Sequence, residues 1–291
     1  NGFFKTTANG FALHLTSCTT EMRNCAVREN GGTLGSGAFY GSIYVYGGSF
    51  AARGCDISDN TFAPTDNGAD AYGAGLYVGR GTLASVPVTL ENCTFSRNKI
   101  RVQNRYGYGG AICADCTDLR IANCMFDGNY VKKTGVGGEG GAITFRVTKD
   151  SRTVHTCSIS DCVFQRNWVG GPSPSGGCIS FLPTGVNSAW YNMTVSLTRC
   201  VFKDNGIRPP DDPNAGTGLA TDCGDVYFRN SSTKMLGVTN CVFIGTGRRH
   251  ALRVASGLVD IYRTTIANTA EGYGISGETG ANITLKDSII W

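Results

Sequence analysis

The 291 residues contain no stretch of about 18 uninterrupted apolar side chains, so no membrane-spanning helix is expected in this segment. Charged residues make up only 16%, the formal net charge is +4, and no run of like charges occurs. These figures argue against nucleic acid or an anionic membrane surface as a partner. Histidine is scarce, and His14, His155 and His250 lie far apart in the sequence. The chain is too apolar and too aromatic for disorder, while its 41 glycines are too many for a helical protein. Many short strands joined by turns fit best.

Thirteen cysteines point to an oxidising compartment unless they bind metal, and the odd count leaves at least one outside any intrachain pair. The chain begins at Asn1 and stops at Trp291 within an apolar run, so it is expected to be part of a longer polypeptide. N-glycosylation sequons start at Asn92, Asn192, Asn230 and Asn282. Asn92 is the poorest acceptor, because it falls in a tight bend.

Internal repetition decides the fold. A heptapeptide recurs as NCAVREN (24–30), GCDISDN (54–60), NCTFSRN (92–98), NCMFDGN (123–129), DCVFQRN (161–167), RCVFKDN (199–205) and NCVFIGT (240–246), followed by the degenerate RTTIANT (263–269) and DSIIW (287–291). The spacing of its cysteine shrinks from 30–41 residues to 23 or 24, which reads as a bare coil carrying loops of varying length. Before each heptad lies an alternating strand such as VTLEN, LRIAN or VSLTR. Before that lies a third, seen as GAGLYV (73–78), GGAIC (109–113), GGAITF (140–145) and GGCISF (176–181). The expectation is an all-β, single-stranded, right-handed parallel β-helix: three strands per coil, about nine coils, one continuous solenoid over 1–291.

Reading down the coils gives columns. Leu76, Ile112, Ile143, Ile179, Val226, Leu252 and Ile275 should point inward, as should Leu90, Ile121, Ile159, Leu197, Val238, Ile261 and Leu285. Phe95, Phe126, Phe164, Phe202 and Phe243 should stack as an aromatic ladder. Asn98, Asn129, Asn167 and Asn205, preceded by Asn30 and Asn60, should form an amide ladder. Cys93, Cys124, Cys162 and Cys200 head a column that Thr264 and Ser288 continue, so small volume and buried free thiols are favoured there. Disulfides between neighbouring coils stay open as an alternative. The lone CxxC of Cys113 and Cys116 is read as a local disulfide, or as pairing with a loop cysteine of an adjacent coil, before zinc. At the bends, Asn92, Asn123 and Asn240 suit a left-handed backbone.

The paired GGAI and Phe-x-x-Asn signatures (109–112 and 140–143; 95–98, 126–129, 164–167 and 202–205) resemble the repeats of chlamydial polymorphic outer membrane proteins. Similar β-helix repeats occur in large surface proteins of protists. The resemblance implies a surface-displayed adhesive scaffold and transfers no catalytic residue.

Chemistry is sparse by comparison. The outward column of the GGAI strand, which would line a substrate groove, reads Tyr77, Cys113, Thr144, Ser180, Tyr227, Arg253 and Ser276, without a carboxylate or histidine. That of the next strand, Thr89, Arg120, Ser158, Ser196, Gly237, Asp260 and Thr284, holds one acid. The acid pair Asp211 and Asp212 lies in a turn-like loop. No enzyme and no cofactor is therefore expected; a carbohydrate-binding or carbohydrate-cleaving β-helix is the alternative. One outward column stands apart, because Met125, Val163, Val201 and Val242 form an apolar stripe that a partner, a further segment or a loop should cover. The expectation is an extracellular or cell-surface structural or adhesive module. Its partners would be copies of itself, meeting end to end or laterally as in a filament, or other surface proteins, with N-glycans attached.

Overall fold

Segments rich in β-branched and aromatic residues alternate with Gly, Asn and Asp throughout this chain, and each such segment becomes a strand. A computed structural model describes residues 12–32, 38–63, 70–81, 85–103, 105–133, 138–148, 154–171, 174–183, 192–206, 224–230, 235–245, 250–267 and 273–291. Among the described residues there is no helix, and strands pair in parallel within four sheets of fifteen, nine, five and three strands. The arrangement is all-β, repeat-like and consistent with a parallel β-helix.

The nine-stranded sheet takes one strand from each heptad in chain order, from Ala26–Arg28 through Met125–Asp127 and Val163–Gln165 to Ile289–Ile290. Its register places Phe95 against Phe126, Phe126 against Phe164, Phe164 against Phe202, and Phe202 against Phe243. The five rings stack with centroids 4.5–5.0 Å apart and planes within 4–8° of parallel. Phe164 is fully buried, as the inward assignment requires.

Both other expected columns belong to the fifteen-stranded sheet. Ile112 pairs with Leu76 and Ile143, and Ile121 pairs with Leu90 and Ile159, so the two inward columns hold in register, although Leu285 on the last rung is exposed. Where no long loop separates the columns, one strand runs through both, as in Ile43–Arg53 and His250–Tyr262. The five- and three-stranded sheets are additions to the three columns read from sequence. They are built from Lys99–Val102, Tyr130–Lys133 and Trp168–Gly170 with shorter neighbours, and from Phe39–Tyr40, Ala71–Tyr72 and Gly107–Tyr108. Two-residue strands are too short to show a period, which is why alternation does not reveal them.

The GG of the signature has two separate causes. Gly140 adopts a φ of 61°, which favours glycine, and a Cβ on Gly141 would lie 2.3 Å from the Gly177 carbonyl oxygen. Neighbouring repeats therefore touch backbone to backbone at this corner.

Candidate functional site

The residues singled out from sequence fall into internal ladders and surface features. Left-handed residues precede the cysteine column, with φ of 53° at Asn92, 53° at Asn123 and 52° at Asn240, as the bend requires. Each thiol then turns back on the chain: Cys124 Sγ donates to the Ala122 carbonyl at 3.2 Å, Cys162 to Ser160 at 3.0 Å and Cys200 to Thr198 at 3.4 Å. The sulfurs also accept, from Cys93 N–H to Cys124 Sγ at 3.3 Å and from Cys124 N–H to Cys162 Sγ at 3.4 Å. Hydroxyls do the same work at the end of the column, where Cys241 N–H reaches Thr264 Oγ1 at 3.3 Å and Thr264 N–H reaches Ser288 Oγ at 3.1 Å. The position thus demands a small side chain that both donates and accepts, which explains the Cys, Thr and Ser set more fully than volume alone. Cys93, Cys124, Cys162, Cys200 and Cys241 are all free thiols.

The CxxC reading needs correction. Cys113 packs with Tyr77 and Tyr108, whereas Cys116 belongs to the main core, so no local disulfide joins them. Burial pushes the Cys113 thiol up to about 12, which keeps it protonated at neutral pH.

The asparagine ladder has a direction. Asn98 N–H and Nδ2 both donate to Asn129 Oδ1, at 3.1 and 3.0 Å, and Asn129 does the same to Asn167, and Asn167 to Asn205. The other Nδ2 proton goes to a backbone carbonyl, from Asn129 to Phe95 and from Asn167 to Phe126, each at 2.9 Å. All four side chains are fully buried, so the amide is fitted as donor and acceptor at once.

Five of the seven positions expected to line a groove are covered, while Arg253 and Ser276 are half-buried. Tyr77, Cys113, Thr144, Ser180 and Tyr227 are all buried, and Thr144 Oγ1 donates to the Glu139 carbonyl at 2.7 Å. The outward column of the following strand does face solvent at Arg120, Ser158, Asp260 and Thr284. Asp211 and Asp212 lie outside the described residues. His155 and His250 are buried in separate places, and no group of three or more metal-ligating side chains occurs among the described residues.

Among the acceptor candidates, Asn282 is exposed on Ala281–Lys286, and Asn92 is exposed in its bend. Asn192 starts the strand Asn192–Thr198, and its side chain lies outside what is described. Asn230 is a correction: it is buried, and its Nδ2 donates to the Met193 carbonyl at 2.9 Å, so a glycan on that nitrogen would displace the bond. Of the apolar stripe, Met125 and Val163 are 40% and 37% exposed, while Val201 and Val242 are half-buried. Bidentate pairs between Arg166 and Asp127 and between Arg199 and Asp161 sit alongside, exposed, and contribute little to stability.

Two features escaped the sequence reading. One is Asp225, fully enclosed at a position where the other repeats carry Ala111, Ala142, Cys178 and Ala251, with Oδ2 lacking a hydrogen-bond partner. Comparison down the GGAI column, where Asp stands for Ala, was the available signal. Desolvation, and to a lesser degree Asp204, hold its carboxyl well above the usual range. A raised folded-state pKa means its contribution to stability is complete below the ordinary carboxylate range and is lost as pH rises through the folded value. Asp225→Asn should therefore become progressively more stable relative to the parent as pH rises from about 4, read as the difference between urea midpoints. A difference that stays constant with pH would show that Asp225 is not enclosed.

The second is a patch of tyrosines outside the main core. Tyr40, Tyr72 and Tyr108 stack in register at 5.2 and 5.1 Å, and Tyr44 stacks on Tyr77 at 5.5 Å. The signal lay in FYGSIYVY (39–46), AYGAGLY (71–77) and RYGYGG (105–110), three successive repeats with tyrosine around the same glycine corner.

No family model, curated protein or solved structure matches this chain.

Proposed function

We propose that the chain is a structural or adhesive module of the extracellular space or cell surface, one solenoid in which about nine coils of three principal strands wind as a right-handed parallel β-helix. The observation that carries this reading is the continuity of the ladders. The Phe and Asn ladders pass from repeat to repeat without a break, and the thiol column gives way only to hydroxyls, so the interior is spent on holding a stiff rod. With strands about 4.8 Å apart, nine coils make a rod roughly 40 Å long. Such a rod serves as a building block of a longer chain, a coat or a filament. Electron micrographs of the native particle test this directly: free, unattached chains would count against it.

Self-association through the exposed stripe is the partner this reading favours. A lateral contact that does not close into a ring propagates as a filament. Val163→Lys together with Val201→Lys places charge on two adjacent rungs, and is expected to abolish concentration-dependent sedimentation while leaving the melting temperature unchanged. An unaltered particle size would remove the stripe from the assembly. The second reading, a carbohydrate-binding solenoid, is favoured by the tyrosine patch.

A further inference from the structure

The inward aromatic ladder of this chain is made of phenylalanine, whereas the patch on the outer side of the GGAI corner is made of tyrosine. Packing alone does not call for rings there. Farther along the same column Thr144 and Ser180 stand in place of Tyr44 and Tyr77 and are fully buried, before Tyr227 returns a ring, so small side chains fill the column as well as rings do. At the flanks of the patch, Tyr46 and Tyr106 are 38% and 41% exposed, each stacked on an inner ring, Tyr44 at 6.0 Å and Tyr108 at 5.7 Å.

Polar groups are built into the same patch. Asp70 accepts from the Tyr72 hydroxyl at 3.2 Å and from the Tyr106 N–H at 3.0 Å, which fixes its carboxylate among the rings. Arg146 continues the stack in place of a fourth ring, with its guanidinium 3.9 Å from the Tyr108 centroid. It is 8% exposed, forms no ion pair among the described residues, and its Nε has no hydrogen-bond partner. The Cys113 thiol, the Asp115 carboxylate on the paired rung and the Tyr72 hydroxyl face its charge, while Nε stays open to a further acceptor.

We propose that this tyrosine patch is a saccharide-binding surface, on which a glycan chain lies across the glycine corner between Tyr46 and Tyr106. The inference rests on the carbohydrate-binding reading and names its site. Sugars present C–H faces, which pack on aromatic rings, and hydroxyls, which pair with phenols, carboxylates and guanidinium donors. Rings stacked on rings are held rigid before any ligand arrives, so little side-chain freedom is lost on binding. The inner stack of Tyr40, Tyr72 and Tyr108 sets one ring per repeat beneath the two exposed flanks.

Calorimetric titration of the soluble chain with two hexasaccharide probes, an uncharged β-linked glucan and a uronate oligomer, tests this. Saturable binding of either supports the site, and a preference for the uronate would assign the acceptor of Arg146 to the sugar carboxylate. Tyr46→Ser with Tyr106→Ser, both exposed positions, should weaken binding by at least about tenfold while the melting temperature stays unchanged. Absence of saturable heat with both probes overturns the proposal, as does equal binding by the double variant. Attachment of chain-coated beads to cells is measured in parallel, and attachment without any glycan binding overturns this site while the adhesive reading stands.

Discussion

Phe164→Ala is expected to lower the unfolding free energy by about 3–5 kcal/mol, the range for truncating a large buried aromatic side chain. Phe164 is fully enclosed between Phe126 and Phe202, with ring centroids at 4.7 and 4.9 Å, so its removal strips a stacking face from both neighbours. The backbone on either side is tied into parallel pairing with Met125–Asp127 and Val201–Lys203. It cannot collapse into the space, and the cavity stays open. Phe164→Leu keeps much of the volume and should cost less than the Ala variant. Urea denaturation followed by far-UV circular dichroism measures both; because each repeat touches only its neighbours, a second transition for the Ala variant is a further expected sign. A loss below about 1 kcal/mol for Phe164→Ala would mean that the ring is not a structural rung.

How far this was legible in the sequence depends on whether a residue repeats. The Phe, Asn and Cys columns were legible because the same side chain recurs at the same place in a heptad, and a stack of identical groups is self-consistent in only one register. The bends at Asn92, Asn123 and Asn240 were legible because few residues tolerate a positive φ, yet Asp161 and Arg199 adopt the same conformation with φ of 55° and 52°. Aspartate tolerates that conformation as asparagine does, whereas at Arg199 the neighbouring repeats fix the backbone and override the residue's own preference. The short sheets containing Lys99–Val102 and Gly107–Tyr108 were not legible, since they are defined by pairing with other coils and not by alternation within themselves. The tyrosine patch escaped for a different reason. Its members sit on both sides of a glycine corner, and only the fold of that corner brings Tyr72 within 5.8 Å of Tyr77 and Tyr40 within 4.6 Å of the same ring. Reading the outward column strand by strand treated those positions as the wall of an open groove, whereas the corner closes over them.

Asn167→Ala should be comparably damaging for a different physical reason. Asn167 Oδ1 is the acceptor for both Asn129 N–H and Asn129 Nδ2, at 3.0 and 2.9 Å, in a fully buried site. Alanine leaves these two donors without their acceptor, at about 1–3 kcal/mol each, so roughly 2–6 kcal/mol is expected in total. Asn167→Asp separates the two halves of the amide's role. Its carboxyl can still accept from Asn129, but once ionised it cannot donate to the Phe126 carbonyl or to Asn205 Oδ1, as the native Nδ2 does at 2.9 and 3.0 Å. Protonated, it regains one donor. Enclosure should raise the folded-state pKa of the introduced carboxyl, so its contribution is complete below the ordinary carboxylate range and is lost as pH rises through the folded value. The stability deficit of Asn167→Asp against the parent should therefore shrink on acidification, while that of Asn167→Ala stays constant. Hydrogen exchange at the Asn129 amide reports the same bond locally, and should accelerate in the Ala variant at every pH. If instead both variants unfold at the parent's urea midpoint, the amide ladder does not hold adjacent repeats together.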